Sequence, residues 1–135
     1  MQIELFEPSC DSLSTVGELK KILADLNSSY GVEISAIVSR SGIPIAWNLP
    51  KDVHVETFAT LSATLLGASE VVYTGLNKEP PKRVVVESDA GNLVAIGLGK
   101  KAMLVAMSSH GVDKLTEGIE VATANIREVL RKESG

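Results

Sequence analysis

Residues 82–108 read KRVVVESDAGNLVAIGLGKKAMLVAMS, and this stretch decides the architecture. Three β-prone runs, Lys82 to Ser88, Leu93 to Gly97 and Ala102 to Ser108, are separated by Asp89-Ala90-Gly91-Asn92 and Leu98-Gly99-Lys100-Lys101. Short links rich in turn formers join consecutive strands, so the stretch reads as a meander. It also holds the letters of a nucleotide motif, because Gly97-Leu98-Gly99-Lys100-Lys101-Ala102 fits G-x-G-x-x-A. That fingerprint needs a helix to follow, with its N-terminus meeting the pyrophosphate, and Ala102 to Met107 is strand-like instead. A P-loop fails as well, since Val94 stands where its first glycine should be and Lys101 where Ser or Thr should follow Gly99-Lys100. The glycines are therefore read as a hairpin turn, and no nucleotide cofactor is expected.

Upstream, Pro80-Pro81 marks a break, and Asp52 to Thr74 before it has a helical period. Phe58, Leu61, Leu65, Ala68 and Val72 form one stripe, while Ala59, Ala63, Leu66 and Gly67 lie well round from it, so the helix is apolar or small on two faces. Small side chains four residues apart let a second helix approach closely, and the Ala59, Ala63, Gly67 side is expected to meet another subunit. Gly75 offers the stop. Further upstream, Val32 to Arg40 and Ile43 to Leu49 flank Ser41-Gly42, the spacing of a tight hairpin. Pro44 cannot donate a ladder hydrogen bond, which places its strand at a sheet edge.

At the ends of the chain, Leu13, Val16, Leu19, Ile22, Leu23 and Leu26 mark a first helix over Asp11 to Tyr30, with Ser12 or Ser14 as cap. Leu115, Ile119, Ala122, Ile126, Val129 and Leu130 mark a last one. The order α-β-β-α-β-β-β-α is an α+β arrangement in a single unit, without repeat or linker.

Composition narrows the function. The 135 residues are 44% hydrophobic and 22% charged, and 13 Lys and Arg against 17 Asp and Glu leave a net charge of −4. An acidic globular chain has no general affinity for nucleic acid or an anionic membrane. Thr57 to Ser69, the longest charge-free run, is far short of a bilayer span, and Met1 to Pro8 lacks a basic signal region, so the expected location is cytoplasmic. Cys10 is the sole cysteine, and neither His54 nor His110 has a ligand-type partner four residues on, so no metal site is expected. Ser108-Ser109-His110 is not an elbow for a nucleophile and is read as a cap for the last helix. Arg40 and Arg83 border strands as ordinary surface arginines. With no nucleophile, metal set or phosphate loop, the chain reads as no enzyme.

Ser41-Gly42-Ile43-Pro44-Ile45-Ala46, Gly91-Asn92-Leu93-Val94-Ala95-Ile96 and Lys100-Lys101-Ala102-Met103-Leu104-Val105, in that order around a Ser- and Thr-rich helix, resemble the Roadblock/LC7 family. The resemblance covers about residues 12–132, leaving residues 1–11 as an extension and 133–135 as a tail. It implies one five-stranded antiparallel sheet of roadblock/profilin-like form, with the middle helix on one face and the terminal helices on the other. It further implies a homodimer, or a heterodimer with another roadblock-like chain, through the middle helix and the first meander strand. In this sequence those contacts fall on Ala59, Ala63, Leu66, Gly67, Val84, Val85 and Val86. Family members regulate or scaffold Ras-like small GTPases, MglB-type polarity regulators among them, or serve as dynein light chains. The function implied is a GTPase-binding regulatory module, with a structural adaptor as the alternative. Partner contacts are expected around the middle helix at Glu56, Thr60 and Thr64, with Trp47 and Arg40 from the hairpin. Trp47, where the family often has a small or polar residue, is either a packing residue or a partner anchor.

Overall fold

The computed structural model describes residues 10–134; the N-terminal extension through Pro8 and the last residue of the tail lie outside the described residues. Helix α1 (Cys10–Tyr30) leads into strands β1 (Ile34–Ser39) and β2 (Pro44–Asn48), helix α2 (Val55–Gly75), strands β3 (Arg83–Ser88), β4 (Gly91–Gly97) and β5 (Ala102–Ser108), and helix α3 (Val112–Ser134). The strands make one antiparallel sheet in the order β2-β1-β5-β4-β3. The β1–β2 hairpin and the β3–β4–β5 meander thus meet at β1 and β5, and β2 and β3 are left as the edges.

Alternation along the strands divides the molecule into two cores. Ile37, Val94, Leu104 and Ala106 point to one face, where Leu19, Leu23 and Leu26 of α1 and Leu115, Ile119 and Ile126 of α3 cover them. Ala36, Val38, Ala95, Met103 and Val105 point to the other, covered by Ala59 and Leu66 of α2. The middle helix therefore has one face of the sheet to itself.

Local chemistry explains the corners. Gly42, at φ +95°, lets Ser39 and Ile43 close the β1–β2 turn, and Pro44 sits on edge strand β2 opposite Val38 beside a register shift. The turn at Leu98 to Lys101 returns β4 directly to β5, with Leu98 N donating to Ala102 O at 2.8 Å, so no helix follows the glycine pair.

Three local expectations change. Helix α1 already includes Cys10, which puts Ser12 and Ser14 within it and away from its cap. Helix α2 runs through Gly75 and is capped by Leu76, while Asn77, at φ 59°, takes the left-handed conformation. Ser108 does not cap the last helix. Its buried hydroxyl donates to Gly31 O at 3.0 Å, tying the end of β5 to the end of α1. Among the described residues no helix is long and apolar enough to cross a membrane.

Candidate functional interface

Helix α2 is two-faced, but its faces have the opposite roles to those expected. Ala59 and Leu66, at 0% and 1% exposure, pack against this chain's own sheet, and Ala63 borders them. Neither Ala59 nor Leu66 has surface to offer a second chain, which corrects their assignment to a subunit contact. Beneath the helix, Ala36, Val38, Ala95, Met103 and Val105 make the floor on which Ala59 and Leu66 pack as one close-packed interior. Part of the larger stripe turns outward, with Leu61 at 63% and Val72 at 57% exposure, joined by Val71 at 71%, while Phe58 packs against the second core. Thr57, Thr64, Ala68 and Gly75 fill the same outward side, which carries no charge. Gly67 is half-buried, with open space where a Cβ would stand.

Beside this helix face lies the free edge of β3. Val84 and Val86 pair with Ala95 and Leu93 and so share the α2 side of the sheet, whereas Val85 pairs with Val94 and points to the α3 side. Val84 packs partly under α2, while Val85 and Val86 are exposed. An exposed apolar edge next to an uncharged apolar helix face is a surface built for covering. The signal was present in the sequence as the charge-free run from Thr57 to Ser69, which covers both sides of the helix.

The partner-contact residues divide. Trp47 lies opposite Ala36 on the α2 face of edge strand β2, packs in part on the second core, and also lines a cavity of about 720 Å³ between β2 and the start of α2. Glu56 and Thr60 line the same cavity, with Ile43, Pro44, Val53 and Val55. A Cβ on Gly42 would stand 3.2 Å from Thr60 Cα, so the hairpin turn closes one end of the groove against the helix. Trp47, Glu56 and Thr60 are brought together; Thr64, one turn further along α2, faces outward with Leu61. Nothing in the sequence linked the Ile43 to Val55 segments to that groove, because the hairpin and helix meet only in the fold. His54 fixes the helix start, its Nδ1 accepting from Thr57 N at 3.3 Å.

Arg40 is placed elsewhere. Its Nη1 donates to Glu70 Oε1 at 2.8 Å, its Nε to Ala102 O and its Nη2 to Gly99 O, each at 3.1 Å. The guanidinium fork clamps the end of β1 to α2 and to the β4–β5 turn, away from the groove that holds Trp47, Glu56 and Thr60. On α3, a hydrogen bond from Arg131 and its positive charge hold the Glu128 carboxyl below its usual range, and the same hydrogen bond with the Glu128 charge raises Arg131. Among the described residues no group of His, Cys, Asp and Glu is placed to hold a metal ion. The surface is suited to protein contact by its shape and apolarity.

Comparison with known proteins bears on the fold. The family model of the Roadblock/LC7 domain matches residues 18–108. An uncharacterized protein of Methanocaldococcus jannaschii is 24% identical over 87 residues, 64% of this chain and 74% of that protein. Among solved structures, MglB of Myxococcus xanthus superposes with a TM-score of 0.81 at 12% identity, covering 87% of this chain and 90% of that one. The gliding protein MglB from Thermus thermophilus does so with a TM-score of 0.79 at 18% identity, covering 87% and 92%. At such identities the likeness is one of fold.

Proposed function

The chain belongs to the Roadblock/LC7 domain family, and from that premise we propose that it is a non-enzymatic dimeric module that binds a Ras-like small GTPase and modulates its nucleotide cycle. The observation that carries the reading is the uncharged outward face of α2, with Leu61, Val71 and Val72 exposed beside the open β3 edge. Burying side chains of this size is worth about 1.5–3 kcal/mol each, enough in sum to hold two chains together. Two copies joined there continue one sheet into the next and set two α2 helices side by side. The Trp47, Glu56 and Thr60 groove then flanks that helix pair and supplies an aromatic anchor at the GTPase contact.

The module acts on its partner by favouring an ordered state of the partner's switch segments, without inserting an arginine. A trans-acting arginine needs a free, extended guanidinium placed at the contact; all three nitrogens of Arg40 are committed within the chain, and Arg83 points to the α3 side of the sheet, away from the α2 surface. Light scattering and single-turnover GTP hydrolysis by a Ras-like GTPase encoded beside this gene test the reading together. A dimer that changes the hydrolysis rate supports it. A dimer that binds the GTPase without changing the rate indicates the adaptor role, and a wild-type monomer at high concentration overturns the proposal.

A further inference from the structure

A second depression, of about 610 Å³, opens at the end of the sheet where β3, α2 and α3 converge. Its walls carry Arg40, Lys82, Arg83 and Arg127 against only Glu70 and Glu120, an excess of cations in a chain whose net charge is −4. Register accounts for the convergence. Arg83 pairs with Ile96 on the α3 side of the sheet, which aims it at the helix face that bears Glu120, Thr123 and Arg127.

Much of this donor capacity is unused. Among the described residues the Arg83 side chain has no hydrogen-bond partner and meets Glu120 only at 3.6 Å, and Glu120 itself is 65% exposed. Arg127 uses a single nitrogen, donating Nη2 to Gly97 O at 3.2 Å. Thr123, only 7% exposed, lines the same depression, and its Oγ1 is shut off from solvent with no hydrogen-bond partner. A buried hydroxyl without a partner is uncommon in a folded chain and asks for an explanation. Arg40 is the exception: Glu70 and two carbonyls occupy it, so it forms a rigid wall and leaves the free donors to the other residues.

We propose that this depression is a binding site for a phosphate-type oxyanion, free or as a small monoester, held by Arg83, Arg127 and Lys82, with the Thr123 hydroxyl, covered in the free chain, as a further donor once Arg83 moves onto the anion. A phosphate dianion matches the surplus charge, and its terminal oxygens accept from several directions, as donors on a strand, a preceding loop and a helix require. A planar carboxylate, with two oxygens, uses fewer of them. The volume leaves room beyond the anion for a small substituent. Binding draws Arg83 away from Glu120, which swings into solvent. This site lies apart from the Trp47 groove and is independent of the GTPase reading.

The test is a titration of the ¹⁵N-labelled full chain with sodium phosphate and, separately, glycerol 3-phosphate, at constant ionic strength set with sodium chloride. The expected result is a saturable shift of the amides of Gly97, Thr123 and Arg127 with at least one of the two anions, the tighter one identifying the source. Arg83→Gln with Arg127→Gln should weaken binding at least tenfold, and Thr123→Val, which keeps the side-chain shape and guards against a folding artefact, severalfold. Absence of a saturable shift with both anions, or unchanged affinity in both the double variant and Thr123→Val, would overturn the proposal.

Discussion

Arg40 and Glu70, thirty residues apart in the chain, meet at 2.8 Å across the gap between the end of β1 and α2. The same guanidinium reaches the carbonyls of Gly99 and Ala102, so one side chain ties together a strand end, a helix and a turn. A Cβ on Gly97 would stand 2.5 Å from Arg40 Nη2, which shows how closely the turn wraps it.

Arg40→Ala is therefore expected to act on stability, lowering it by about 1–3 kcal/mol, since charged hydrogen bonds are lost and two carbonyls lose a donor. Arg40→Lys recovers little, because an ammonium cannot fork to three acceptors. Chemical denaturation measures both. In single-turnover assays with a cognate GTPase, the folded variant should retain hydrolysis within about tenfold of wild type, where loss of an arginine finger would cost roughly 10³ or more.

The two faces of α2 should respond differently to substitution. Leu61→Glu and Val71→Glu, on the outward face, are expected to give a folded monomer. Leu66→Ala should instead lower stability by about 2–5 kcal/mol, as truncation of a buried leucine does. Light scattering and thermal melts on all three separate the outcomes; folded dimers in both glutamate variants would place the subunit contact elsewhere.

Gly118 sets the distance between the terminal helices. A Cβ there would stand 2.7 Å from Tyr30 Cγ and 2.9 Å from Leu26 Cδ1, so α1 and α3 touch where no side chain intervenes. Gly118→Val is expected to destabilise the chain by about 1–3 kcal/mol through overpacking, despite glycine's poor helix propensity. A variant as stable as wild type in urea would contradict this packing.

Glu128 and Arg131 provide the pH-dependent contribution. The carboxyl is held below its usual range in the folded chain, so the stability it adds is present above the ordinary carboxylate pKa and fades as pH falls through the lowered value. Both groups are exposed, and salt screens the pair. In Arg131→Ala the Glu128 carboxyl should titrate at a higher pH, which carboxyl NMR measures directly; an unchanged midpoint would mean that the pair does not persist in solution.

The sequence alone determined the order of elements, the β1–β2 hairpin, the β3–β4–β5 meander and the edge position of Pro44. Each of these depends on periods, turn residues or spacings contained within a short window, such as Ser41-Gly42 or Leu98 to Lys101. It also showed that α2 has two apolar faces. Only the tertiary structure decided which face is inside, because periodicity locates a stripe without saying what lies beneath it. Here the floor is made by Ala36, Val38, Ala95, Met103 and Val105, which the sheet brings together from three strands, and Ala59 and Leu66 are the α2 residues that close over it. The same holds for Arg40 and Thr123. One is fully engaged and the other left without a partner by groups that the sheet brings together from distant segments, and no local pattern records such a meeting.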